Sequence, residues 1–119
     1  MALIITEEVT WMLRSKVIKD QSMAASVSSD VVKISKLDGW AVQFVWTGSP
    51  TSTVKVQASV DGVTFADVPG AAVSTGGSAG SFEFNVGYRI GYNFLKLVST
   101  FVSGTGTLNA WVSGKERAA

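Results

Sequence analysis

Neither histidine nor cysteine occurs among the 119 residues. Acid–base or nucleophilic chemistry would therefore have to come from carboxylates, lysines and hydroxyls. The usual proton shuttle near neutral pH, the histidine-based triads, thiolate nucleophiles, disulfides and the common zinc sites are all excluded. Asp61, Asp67 and Glu83 are the candidates for paired-carboxylate work of the glycosidase kind. Each also has a plainer local role. Asp61 opens an Asp-Gly turn, Asp67 opens Asp-Val-Pro-Gly, and Glu83 lies on the polar side of a strand, so structure outweighs catalysis at all three. Gly76-Gly77 and the spaced pair Gly87 and Gly91 precede no helix and read as loops rather than phosphate cradles. Ser15-Lys16 and Ser35-Lys36 lack the helical Ser-x-x-Lys spacing of a serine nucleophile with a lysine base and read as exposed strand ends. No Asp/Asn-rich loop has calcium spacing. The expectation is a protein that is not an enzyme and uses no cofactor and no metal.

Four tryptophans, Trp11, Trp40, Trp46 and Trp111, fall on segments that read as strands. Trp40 and Trp46 alternate in step with Val42 and Phe44, which assigns them to a core face. Trp111 stands opposite Leu108, Ala110 and Val112 and is expected to be exposed, as are Val45 and Val98, which interrupt polar faces. An exposed aromatic on a sheet can stack a sugar ring, but apolar side chains on sheet faces more often mark a protein interface.

The elements that must position these groups follow from a period of two. Trp40 to Trp46 alternates with Ala41, Gln43 and Val45; after Gly48-Ser49-Pro50, Val54 to Val60 alternates with Lys55, Gln57 and Ser59. Asp61-Gly62 then suggests a type I′ hairpin, so Gly39 to Phe65 reads as a three-strand meander. Before it, Val9 to Val17 reads as a strand, Ile18 to Ser29 as a loop leading into a strand, and Val31 to Ile34 as a short strand. After it come a turn at Asp67 to Gly70, a short edge strand at Ala71 to Ser74 and a small-residue loop at Thr75 to Ser81. Phe82 to Val86 and Tyr92 to Val102 read as strands, Ser103 to Gly106 as a hairpin turn, and Thr107 to Val112 as the returning strand. Short strands at this spacing with no helix predict an all-β protein: one antiparallel β-sandwich, jelly-roll-like domain over residues 1–119. Residues 1–8 form its N-terminal arm or edge strand, and residues 115–119 its polar tail.

Bulk properties agree. The chain is 46% hydrophobic and 16% charged, with a net charge of +1, which favours a packed core over disorder. Its positive charges are scattered, so no nucleic-acid footprint results, and its apolar runs are too short for a membrane span. Met1 to Glu8 lacks a signal-peptide pattern, giving an expectation of synthesis in the cytoplasm.

Trp46-Thr47-Gly48-Ser49-Pro50 followed by the run Val56 to Phe65, VQASVDGVTF, resembles a recurring type of small tailed-bacteriophage virion protein. In such sequences a W-T-G-x-P turn leads to a strand ending Q-A-S-x-D-G-x-x-[WF]. A variable Gly/Ser loop, an aromatic-rich strand and a T-x-x-S-G-x-G-T-L hairpin follow. Here the last element is Thr100 to Leu108, TFVSGTGTL, and the terminal lysine is Lys115. The likeness runs from Gly39 to Lys115 and leaves Met1 to Asp38 unmatched. It implies a non-enzymatic structural component of the virion, a capsid decoration or accessory subunit made in the host cytoplasm, and carries over no functional residues. The implied partners are other virion proteins or copies of the chain itself. Leu3, Ile4 and Ile5, a run of high β-propensity, join Trp111 as interface candidates. The alternative is a carbohydrate-binding or adhesive β-sandwich module with a glycan as partner.

Overall fold

In a computed structural model the described residues are 12–34, 37–86 and 92–116. They form nine strands: β1 (Met12–Ser22), β2 (Val27–Ser28), β3 (Val32–Lys33), β4 (Leu37–Gly48), β5 (Thr51–Ser59), β6 (Ala66–Ser74), β7 (Gly80–Val86), β8 (Phe94–Ser103) and β9 (Gly106–Glu116). One sheet has the order β1-β9-β4-β7. The other runs β2-β8-β5-β6, with β3 also pairing β8. All pairs are antiparallel. With β2 and β3 counted as one interrupted strand, this is the eight-strand, two-sheet connectivity of a jelly roll.

The alternation seen in the sequence sets the core. Trp40, Val42, Phe44 and Trp46 of β4 and Leu108, Ala110 and Val112 of β9 point inward from the four-stranded sheet. Val54, Val56 and Ala58 of β5 and Leu95 and Leu97 of β8 meet them from the other. Size is matched across the ladder: Phe44 stands opposite Ala110, and Trp46 opposite Leu108. Trp40 and Trp46 are 2% and 5% exposed, as their register predicts. Trp46 also donates its indole N–H to the Ser78 carbonyl at 2.8 Å, and its ring occupies the space where Gly80 would carry a Cβ.

Several local expectations need correction. Gly39 to Phe65 is not a meander, because β4 and β5 belong to opposite sheets. The inner faces of both are largely apolar, and from opposite sheets they pack against each other across the core. Gly48-Ser49-Pro50 is thus a crossing between sheets. Ser103 to Gly106 is a second crossing rather than a hairpin turn, since β8 pairs with β5 whereas β9 pairs with β1 and β4.

At Asp61-Gly62 only Gly62 takes positive φ, at 82°. The Asp61 carboxylate accepts the Val63 and Thr64 amides at 2.8 and 2.9 Å and the Ser59 hydroxyl at 2.8 Å. That side-chain turn supports a longer loop in place of the two-residue type I′ hairpin. Asp67 to Gly70 lies inside β6, where four residues from Val68 to Ala71 oppose Val56 alone, a bulge that Gly70 accommodates at φ 77°. The turn and the edge strand expected there are one bulged strand.

A further correction concerns Ile18 to Ser29. The strand over Val9 to Val17 is observed from Met12 onward and continues to Ser22; Val9 to Trp11 lie outside the described residues. Register shifts on either side of Ile18 break the alternation there, and the Ser- and Ala-rich composition that follows reads as a loop. Farther on, serine hydroxyls stand in for strand carbonyls. Ser26 Oγ, just before β2, accepts the Phe101 amide at 3.0 Å, and Ser29 Oγ, between β2 and β3, accepts the Leu97 amide at 2.9 Å. Ser15, expected at an exposed strand end, is a buried mid-strand residue, while Lys16 beside it is exposed.

Candidate binding groove

The sequence candidates separate into groups that the fold disperses and one group that it gathers. Asp61 sits in the β5–β6 loop, held below its ordinary carboxylate value chiefly by the amides of Thr64 and Val63. Asp67 is on β6, its pKa lowered by Gln57 Nε2 at 3.0 Å and then by Lys55 Nζ at 3.3 Å. Glu83 is on β7, in the other sheet. The three acids therefore form no pair, and among the described residues no group of three or more carboxylates could hold a metal. Leu3, Ile4, Ile5, Ser35 and Lys36 lie outside the described residues.

What the fold gathers is the outer face of the four-stranded sheet. Because inner positions alternate with outer ones, β1 presents Arg14 and Lys16, β9 presents Trp111 and Ser113, β4 presents Ala41 and Gln43, and β7 presents Glu83 and Asn85. Register then aligns them into two rows across the strands. Lys16, Trp111, Gln43 and Glu83 make one row; Arg14, Ser113, Ala41 and Asn85 make the other. Together they line an open groove of about 380 Å³, with Lys16 just beyond its edge.

Trp111 is half-buried rather than projecting. Lys16 Nζ stands over its ring, 5.0 Å from the centroid, a cation–π contact that restrains the indole. Val45 and Val98, expected to be exposed, are half-buried among their neighbours. Charge in the groove is divided: Arg14 is on one edge strand and Glu83 on the other. Among the described residues the one ion pair is Lys55 with Asp67, on the opposite sheet. Sequence reading singled out Trp111 but missed Arg14, Gln43 and Asn85. Their alternation marked them only as outward-facing, and nothing in the one-dimensional pattern says which strands lie side by side.

The stretches carrying the virion-protein resemblance have a different task. Gly48 at φ 85° and Gly104 at φ 83° let the two sheet crossings lie against each other, with the Ser49 amide donating to the Thr105 carbonyl at 2.9 Å. A Cβ on Gly48 would come within 2.7 Å of the Thr105 carbonyl oxygen; one on Gly104 would strike the Ser49 carbonyl, and one on Gly106 the Thr47 carbonyl. Thr75 closes the same corner. Its hydroxyl donates to the Pro50 carbonyl at 2.6 Å and accepts the Ser52 amide at 2.9 Å. W-T-G-x-P and S-G-x-G-T-L, separated by about fifty residues in sequence, are thus the two halves of one structural corner.

No protein-family model matches the chain, and no curated protein does. Solved structures do share its fold. The SPBc2 prophage-derived protein YomS is 11% identical with a TM-score of 0.53, the alignment covering 95% of this chain and 100% of that one. The PBSX exported protein XepA is 12% identical with a TM-score of 0.56 over 90% of this chain, which spans 38% of XepA. The Tobacco streak virus coat protein, solved as a dimer, is 9% identical with a TM-score of 0.52 over 99% of this chain and 92% of the other. At these identities the likeness establishes the antiparallel jelly-roll sandwich.

Proposed function

We propose that this chain is a non-enzymatic structural protein of a bacteriophage virion, a capsid decoration or accessory subunit that acts through contacts with other virion proteins or with its own copies. The observation that supports it most is the near end-to-end correspondence with prophage-derived YomS, in which neither chain has a substantial part without a counterpart. The ordered virion-type motifs point the same way. The contacts are assigned to the N-terminal run Leu3, Ile4 and Ile5 and to apolar side chains left in solvent at the ends of the sandwich. Val60 and Val63, 63% and 84% exposed, lie on the β5–β6 loop, and Val102, 65% exposed, lies toward the opposite end of the sheet. Trp111, the fourth candidate from the sequence, sits among polar groups that suit a smaller partner.

The test is to purify particles from cells that produce the virion with a tagged copy of this chain and to follow the tag through a density gradient. The tag should travel with the particle band, and deletion of residues 2–6 should leave a folded protein that no longer does so. A full-length chain that remains in the soluble fractions refutes the structural role. A truncated chain that still travels with particles refutes the arm.

A further inference from the structure

We propose that the groove over the four-stranded sheet is a saccharide-binding site. It takes a neutral oligosaccharide of flat, equatorially substituted pyranose rings, with one ring against Trp111 and its hydroxyls on Arg14, Gln43, Glu83 and Asn85. This goes beyond the structural role and does not depend on it.

Three features select this ligand. The first is shape. The lining crosses all four strands, three inter-strand spacings of ~4.8 Å or roughly 14 Å, which suits a short linear chain laid across the sheet. Its volume of about 380 Å³ is that of a small-molecule cleft. The second is the mixture of groups. One indole, with Lys16 over one of its faces, lines the groove and offers its remaining apolar surface to the C–H face of a pyranose; around it stand two amides, a guanidinium, a hydroxyl, a carboxylate and the Ala41 methyl. Hydroxyl groups can donate to Glu83 and accept from Arg14 at once, so a neutral polyol satisfies both ends of a groove whose charges are opposite.

The third feature argues against a protein occupant. A protein interface places an apolar, desolvated centre inside a polar rim. Here the strongly exposed apolar side chains, Val60, Val63 and Val102, lie on the β5–β6 loop and at the far end of β8, in the other sheet. Covering the groove with protein would also bury Arg14 and Glu83 away from water, an arrangement that is costly unless each meets an opposite charge. A sugar leaves them partly hydrated.

Isothermal titration of the intact chain with cellotetraose, laminaritetraose and N-acetylchitotetraose tests the assignment, with α-linked maltotetraose as the comparison. At least one β-linked tetraose should titrate saturably and more tightly than maltotetraose. Trp111→Ala should weaken that binding about tenfold or more. Gln43→Ala and Glu83→Gln, at exposed side chains, should each weaken it several-fold with an unchanged melting temperature. These two carry the test if Trp111→Ala fails to fold. Amide shifts on titration should map to β4, β7 and β9. The assignment is overturned if no β-linked tetraose titrates, if the shifts map elsewhere, or if the Gln43 and Glu83 variants bind as tightly as the parent. Loss of particle association in Trp111→Ala, with no tetraose bound by the parent, would make the groove a protein contact and would equally overturn it. The density-gradient result for the parent chain stands apart from all of these outcomes.

Discussion

Single residues in this chain mostly serve turns and ladders, and Asp61 is the clearest case. Its carboxylate collects two backbone amides and a serine hydroxyl, which favour the ionised form and hold its pKa below the ordinary aspartate value. A lowered folded-state pKa contributes stability that is present above the unfolded value and lost as pH falls through the folded one. The loop should therefore loosen as pH falls below about 4. Asp61→Asn keeps an acceptor oxygen but removes the charge. It should lower the melting temperature slightly at pH 7 and make it less sensitive to pH below 4. An unchanged acid limb in the variant, measured by thermal melts from pH 2 to 7, would assign the pH dependence to other groups. Asp67 shifts in the same direction through Gln57 and Lys55, so part of the slope should survive in the Asp61 variant.

At the scale of elements, the two crossings decide the fold. Each must carry the chain from one sheet to the other with two residues between the strands, and the two must lie in contact to close the end of the sandwich. Glycine at positive φ makes both possible. Gly104→Ala combines the left-handed backbone penalty, ~1–2 kcal/mol, with collision against the Ser49 carbonyl, and should cost well over 2 kcal/mol of unfolding free energy. Gly76 has a similar φ of 68° with nothing near its would-be Cβ, so Gly76→Ala should cost only the backbone penalty. Chemical denaturation of both variants separates strain from close approach. Equal losses would mean that the crossings are not tightly packed.

At the scale of the whole molecule, the neighbours in each sheet are distant in sequence. β1 pairs β9 with Met12 opposite Lys115, so a ladder of the first sheet closes almost the whole chain. Non-local pairing of this kind makes folding slow, because loop-closure entropy is lost before the contacts offset it. Stopped-flow refolding followed by tryptophan fluorescence should therefore have its main phase in roughly the millisecond-to-second range at 25 °C. Trp40 and Trp46 are core reporters from β4. Completion within microseconds would imply that local hairpins, rather than the closing ladder, limit folding.

The sequence by itself determined most of the strands, the inner apolar residues of β4, β5, β8 and β9, and the absence of histidine and cysteine chemistry. Alternation is a property of each segment alone: Trp40, Val42, Phe44 and Trp46 share a face wherever the strand is placed. Which strands pair is a property of the whole chain. Glycine-containing turns between alternating segments look alike whether the next strand folds back beside the last or crosses to the other sheet. Gly48-Ser49-Pro50 and Ser103 to Gly106 therefore read as hairpin connections in the sequence, although they cross. The groove shares that origin. Arg14, Trp111, Gln43 and Glu83 come from β1, β9, β4 and β7, and only the tertiary pairing of those strands brings a cation, an indole, an amide and a carboxylate onto one surface.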